Sequence, residues 1–278
     1  DTVTIVGVGL IGGSAGLALA KRGTAKKIIG DRRSDSSLEA AKELGAISEG
    51  TTNIREGVAD ADFVLVATRV SVIGNQLEEI DTCVRPGTPI TDAGSTKQSI
   101  VDRWEQSRSS RKGRFVGSHP LAGSHKRGPQ AADPALFEDK LTVLTPVEST
   151  PQSDTQSISA FWQLIGAQVC HLSPSEHDRL LASASHAPHI VAAPLAAATP
   201  REAHRFTAGG WRDTTRIAAG DPDLWADILL DNAKAVTAQI ENFSQVSDQL
   251  QHAIEEGDRP TLIKLLTLAK ESRDALGS

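Results

Sequence analysis

The stretch Thr2-Val3-Thr4-Ile5-Val6-Gly7-Val8-Gly9-Leu10-Ile11-Gly12 decides the fold of this chain. Its first five residues are β-branched or apolar, as a buried strand requires, and residues 10–21 have the composition of a helix. Between strand and helix stand three glycines in the pattern G-x-G-x-x-G, which on such a turn is a dinucleotide-binding fingerprint. Gly7 permits the tight turn, Gly9 lets the backbone approach a pyrophosphate, and Gly12 lets the helix lie close to the strand. Leu10 and Ile11 open that helix, whose free N–H groups and positive potential suit an anion. A second strand over residues 27–30 leads to Asp31, an acid at about the 20-residue spacing of the fingerprint, placed to accept the ribose hydroxyls. That acid favours NAD. Arg32 and Arg33 follow it directly and could hold a 2′-phosphate, so NADP stays possible.

Outward from this unit the alternation continues. A helical segment over residues 38–44 is followed by buried-type strands over residues 63–67 and 89–92. Repeated βαβ order predicts an α/β fold with a doubly wound, Rossmann-type parallel sheet. Residues 114–116 and 141–144 extend the sheet, and a helix over 157–164 with a strand over 168–172 closes a dinucleotide-binding domain at residue 173. From Pro174 strand signals vanish, and residues 174–278 read as an all-α domain for substrate and dimerisation. Leu224, Ile228, Leu229, Ala233, Val236 and Ile240 fall near helical spacing, and Leu262, Leu265, Leu266 and Leu268 form another stripe. Each stripe fits either an internal core or the interface of a homodimer.

A net charge of −6 with both signs interspersed gives no footprint for nucleic acid and no basic patch for a membrane surface. Partners are expected to be a small-molecule substrate and a second copy. Cys83 and Cys170 are far apart and lack metal-ligand spacing, so they read as buried thiols in a reducing compartment. The chain opens into a strand without a signal-like segment, and no apolar run has the length of a membrane span, so a cytoplasmic location is expected.

The glycine turn names only a cofactor; the run Gly117-Ser118-His119-Pro120-Leu121-Ala122-Gly123 places a base and begins to name a reaction. The preceding Phe115-Val116-Gly117 reads as a strand that ends where Pro120 forbids continuation, which puts His119 at the ligand-bearing edge of the sheet. Oxidation of an alcohol needs such a base, because hydride leaves carbon only as the hydroxyl proton is taken. Ser95, in Gly94-Ser95-Thr96-Lys97, follows the strand ending at Asp92; it reads either as an N-cap or as a hydroxyl that fixes His119 and touches the substrate oxygen. Thr68 follows the strand over residues 63–67, beside the cofactor. In the second half, Ser185-His186-Ala187-Pro188-His189 places two histidines within a helical turn, with Pro188 starting or kinking a helix. No carboxylate stands near as a third ligand, so polar substrate contact is the expectation and no metal is predicted. Arg212 and Arg216, in Gly209-Gly210-Trp211-Arg212-Asp213-Thr214-Thr215-Arg216, suit bidentate binding of a carboxylate, or structural pairs with Asp213 and Asp221.

With these segments in this order, the chain resembles the prephenate/arogenate dehydrogenase family of tyrosine biosynthesis. The shared motifs are the glycine fingerprint, Asp92 to Lys97, Gly117 to Gly123, Ser185 to His189, and Arg212 to Arg216, and they span nearly the whole chain. The resemblance implies a nucleotide-binding domain joined to a helical dimerisation domain, with oxidative decarboxylation of a ring alcohol between them. It implies His119 as catalytic base, Ser95 as its support, His186 as a substrate-site histidine and Arg216 as the carboxylate-binding arginine, with Arg212 a weaker match. Arg69 stands where the family commonly has proline. Two other readings are a β-hydroxyacid-type dehydrogenase and a non-catalytic dinucleotide sensor. The first relies on a lysine in its helical half, and none occurs between Lys140 and Lys234; the second has no need of His119, His186 and Arg216 together.

Overall fold

The computed structural model describes residues 1–32, 35–106, 111–123 and 128–277. Strands and helices alternate as β1 (Thr2–Val6), α1 (Leu10–Arg22), β2 (Lys27–Asp31), α2 (Asp35–Glu43), β3 (Glu49–Thr51), α3 (Ile54–Val58), β4 (Phe63–Val66), α4 (Val70–Cys83), β5 (Pro89–Asp92), α5 (Gln98–Gln106) and β6 (Arg114–Pro120). The sheet is completed by β7 (Leu141–Thr145), α6 (Gln152–Leu164) and β8 (Gln168–His171). Helices follow: α7 (Pro174–Leu181), α8 (Ala187–Ala198), α9 (Gly209–Thr215), α10 (Pro222–Asp231), α11 (Ala233–Glu255) and α12 (Arg259–Asp274).

The strand order is β3-β2-β1-β4-β5-β6-β7-β8. The chain reverses its winding between β3 and β4, so the crevice at the carboxyl ends of β1 and β4 is a switch point where ligands bind. The sheet is not parallel throughout. The second half of β6 pairs antiparallel with β7, with Gly117 opposite Thr145 and Pro120 opposite Thr142, and β8 runs parallel to β7. Apolar composition marks these as strands but carries no direction, which is why the reversal was not expected. The strand also continues past the expected stop: Pro120 is its last residue, tolerated where the ladder ends. His119 therefore lies in the strand, opposite Val143 of β7, beyond the point at Val116 where pairing with β5 ends.

Two apolar clusters hold the layers together. One joins Ile5, Ala15, Leu19 and Leu65 to Phe137, Leu144 and Trp162. The other joins Val64, Val66, Ile73, Leu77 and Ile90 to Trp104 and Phe115. The helical half is less enclosed. Of α11 only Val236 and Ala253 are buried, and α12 has no buried residue. Val236 and Ile228 thus join the internal core of the expected stripes, while Ile240, Phe243, Val246, Leu266 and Leu268 are exposed.

Candidate functional site

The glycine turn adopts the predicted geometry. Gly7 has φ +96°, and a Cβ there would stand 2.6 Å from the Ala67 carbonyl oxygen. A Cβ on Gly12 would stand 2.2 Å from the Gly7 carbonyl oxygen, so any side chain would push α1 off β1. Gly9 has nothing within 4 Å of its Cβ direction, and as the residue capping α1 it supplies no side-chain bond to the helix's free N–H groups. Open space, donors and the dipole of a 13-residue helix meet there, which fits a pyrophosphate. Leu10 and Ile11 form the first turn of α1. Asp31 ends β2, where its carbonyl accepts from the Gly7 N–H at 2.9 Å. Arg32 donates from Nη1 to the Val8 carbonyl oxygen at 2.8 Å, so its guanidinium is tied to the glycine turn. Arg33 lies outside the described residues. Thr68 packs its methyl against Gly7 and donates to Gln76 Oε1 at 2.5 Å.

A cavity of about 580 Å³ lies at the carboxyl edge, where the sheet meets the helical half. Ser95, His119, His186 and Arg216 all line it, with Leu224, Trp225 and Ile228 forming an apolar wall. Residues 91 positions apart in sequence, Ser95 and His186, thus face one space. Arg212 is exposed on α9 and is not among the lining residues, which removes it from the cavity in this chain. Arg216 lines it with no ion pair among the described residues. His189 is buried beside the cavity, its ring stacked on Trp225 at 3.7 Å between centroids.

Ser95 is not the N-cap of α5. That helix begins at Gln98, and its first donors are taken by Asp178: Lys97 N–H at 2.8 Å and Gln98 N–H at 2.9 Å. The serine hydroxyl is thereby left to the cavity. Beneath the turn, Lys97 Nζ pairs with the Asp92 carboxylate, both side chains fully buried. Asp92 also accepts from Gly94 N–H at 2.8 Å and Ser118 N–H at 3.0 Å, so one carboxylate ties the Ser95 turn to the His119 strand.

Behind His119 stand two residues that the sequence did not single out. His119 Nδ1 lies 2.8 Å from His177 Nε2, and His177 Nδ1 lies 2.8 Å from Asp178 Oδ1. A capping box of Ser173 and Glu176, with Pro174 at the helix start, begins α7 and turns His177 and Asp178 inward on one face. Burial alone would raise the Asp178 carboxyl, but hydrogen bonds from His177 and from the Gln98 and Lys97 amides outweigh it and hold it below the usual carboxylate range. The chain of donors then follows. A carboxylate accepts, so His177 donates from Nδ1 and accepts at Nε2; His119 must donate from Nδ1, and its Nε2 keeps a free lone pair. Burial first, then the neighbouring His177, Lys97 and His186, push His119 well below the usual imidazole range. It is a neutral base at neutral pH. No motif signals His177, because only the fold brings it to His119 across 58 residues.

His186 ends a π-helical turn, Ala182–His186, closed by a bond from the Ala187 N–H to the Ala182 carbonyl. Pro188 explains the wide turn: it has no N–H to return to the carbonyl four residues back, and its ring displaces that carbonyl. Desolvation lowers His186 to about 4.

Known proteins are similar to this chain in both halves. The nucleotide-binding domain model of prephenate dehydrogenase matches residues 15–171, and the dimerization domain model of the same enzyme matches residues 173–268. The prephenate dehydrogenase of Bacillus subtilis is 38% identical over 283 residues, covering 99% of this chain and 76% of that protein. The crystal structure of the A. aeolicus prephenate dehydrogenase, solved with hydroxyphenyl propionate and NAD+, superposes with a TM-score of 0.89 at 32% identity, covering 99% of this chain and 98% of that one. Synechocystis arogenate dehydrogenase superposes with a TM-score of 0.83 at 28% identity, covering 99% and 100%. Both halves of the chain are matched, and the chain belongs to the prephenate dehydrogenase family.

Proposed function

We propose that this chain is an NAD-dependent dehydrogenase that oxidatively decarboxylates prephenate or arogenate. The observation that carries the reading is the convergence of Ser95, His119, His186 and Arg216 on one cavity at the carboxyl edge of the sheet. The names of the B. subtilis and Synechocystis relatives support the two substrates, and the NAD+ in the A. aeolicus structure supports the cofactor. Gly7, Gly9, Leu10, Ile11 and Gly12 would cradle its pyrophosphate, Asp31 its ribose hydroxyls, and Thr68 would flank it. Asp31 would repel a 2′-phosphate, and Arg32 is already engaged on Val8, which supports NAD over NADP.

Held by these residues, NAD would supply the hydride acceptor for the ring carbon that bears the hydroxyl. His119 takes the hydroxyl proton on Nε2, and the positive charge that arrives on the ring is shared through Nδ1–H with His177 and Asp178. Ser95 holds the hydroxyl oxygen against that nitrogen. Arg216 pairs with a substrate carboxylate in two parallel bonds, and His186 donates to the substrate from the opposite wall. As the carbon is oxidised, the bond to the ring carboxylate breaks, carbon dioxide leaves and its electron pair completes the aromatic ring.

We assign residues 1–173 to dinucleotide binding and 174–278 to the substrate and dimer contacts; the gap between the end of β8 and the start of α7 supports that division. The exposed apolar residues of α11 and α12, together with the dimerization domain model, support a homodimer through the helical half. Unpaired Cys83 and Cys170 fit work in the cytoplasm, and among the described residues no helix is long and apolar enough to cross a membrane. The test is the appearance of reduced nicotinamide absorbance with prephenate or arogenate against NAD or NADP. Turnover with NAD and one of these substrates is expected; silence in all four combinations overturns the reading.

A further inference from the structure

Asn232, buried between α10 and α11, is named by no motif, yet it touches two parts of the site at once. Its Nδ2 donates to the Asp178 carbonyl oxygen at 2.8 Å and lies 3.2 Å from His186 Nδ1. The orientation of the amide is decided by the first bond, because a carbonyl oxygen cannot face another carbonyl oxygen at that distance. An amide nitrogen carries two hydrogens and no lone pair for accepting, so the second hydrogen is aimed at His186 Nδ1, which must accept. Asn232 is 6% exposed and His186 1%, so water has little access to either group.

The structure assigns to Asn232 the role of a positioning residue that fixes His186 with its proton on Nε2, presented as a donor to the substrate. His119, held by His177, carries its proton on Nδ1 and presents a bare Nε2. The two histidines of one cavity therefore hold opposite tautomers, one an acceptor for the hydroxyl proton and the other a donor to an anionic group. The groups packed about His186 are Asp178, His177 and Trp225. None of them supplies a hydrogen bond to its Nδ1, so Asn232 alone sets the choice among the described residues.

The role at the substrate rests on the proposed reaction, whereas the tautomer does not, and the experiment separates them. In protein labelled with 15N-histidine at pH 7, two-bond nitrogen–proton correlations report which ring nitrogen carries the proton. The expected result is protonation of His186 on Nε2 and of His119 on Nδ1. In Asn232→Asp the carboxylate accepts instead, and His186 moves its proton to Nδ1 while His119 is unchanged. With prephenate as the probe, KM is expected to rise about tenfold and kcat to stay within about threefold, the size of one lost hydrogen bond to a charged group. Asn232→Leu, without donor or charge, should raise KM similarly and leave His186 a mixture of tautomers. Unchanged NAD affinity serves as the check of folding. A wild-type His186 protonated on Nδ1 overturns the assignment whatever the variants do. The predicted tautomers with an unchanged KM would instead overturn the donation of His186 to the substrate.

Discussion

The charge of Lys97 bears on the protonation of His119, after burial and the neighbouring His177. A base that must be neutral is active above its pKa, and His119 lies well below the usual imidazole value, so the active range extends into acid. The expected pH profile of kcat/KM is flat above about pH 6.5 with its acid limb below that. Lys97→Ala removes a cation near His119 and so shifts that limb upward; it also leaves the buried Asp92 carboxylate unpaired, at a cost of about 3–5 kcal/mol read from urea unfolding. A limb that does not move would separate Lys97 from the base. Asp178→Asn gives a second handle, since an amide can donate to His177 and reverse the donor chain; kcat should fall at least tenfold at constant NAD affinity. At this scale the motifs pointed to residues that the fold brings to one cavity, His119, Ser95, His186 and Arg216. The sequence was silent on His177, Asp178 and Asn232, because a positioning residue needs only a distance, and no local pattern encodes a distance across the 58 residues between His119 and His177 or the 46 between His186 and Asn232.

α10 couples the two halves, and its spacing shows how. Asp223, Asp227 and Asp231 recur every four residues on one face. Asp223 lies 3.8 Å from Arg69 at the start of α4, Asp227 accepts from Ser71 at 2.8 Å, and Asp231 accepts from Thr96 at 2.5 Å and Ser99 at 2.7 Å. The carboxylates at 227 and 231 meet the first turns of α4 and α5, where helix dipoles favour negative charge. The opposite face, Leu224, Trp225 and Ile228, walls the cavity, so one helix joins the cavity wall to the turn that carries Ser95. Asp231→Ala should lower kcat about tenfold with little change in NAD affinity; equal loss of both would place its role in folding. The existence of most elements was legible from periodicity, and the glycine turn even in its details. The direction of β7 was not, since strand composition is the same in either direction, nor was the π-helical turn, which follows from the ring of Pro188 meeting a helix already begun.

The whole molecule carries two further consequences of its burial pattern. Leu266 is 60% exposed and Phe243 45%; on the proposed homodimer through this half, Leu266→Asp is expected to yield a monomer by light scattering, and an unaltered dimer would place the interface elsewhere. Burial lowers His186 from 6.5 to about 4, so between those values the unfolded chain binds a proton that the folded one does not. Stability is therefore retained above pH 6.5 and lost as pH falls towards 4, by about 3 kcal/mol from this group, an effect that urea titrations of His186→Asn should reduce. The proposed reaction belongs to the whole molecule, because His119 reaches the cavity from the sheet and Arg216 from the helical half. Its most direct test is His119→Asn, assayed for turnover with prephenate and arogenate and for NAD binding in the same preparation. Turnover reduced by about 10²–10⁴ with NAD affinity unchanged is the predicted result; turnover within tenfold of wild type would contradict the assignment of His119 as the base.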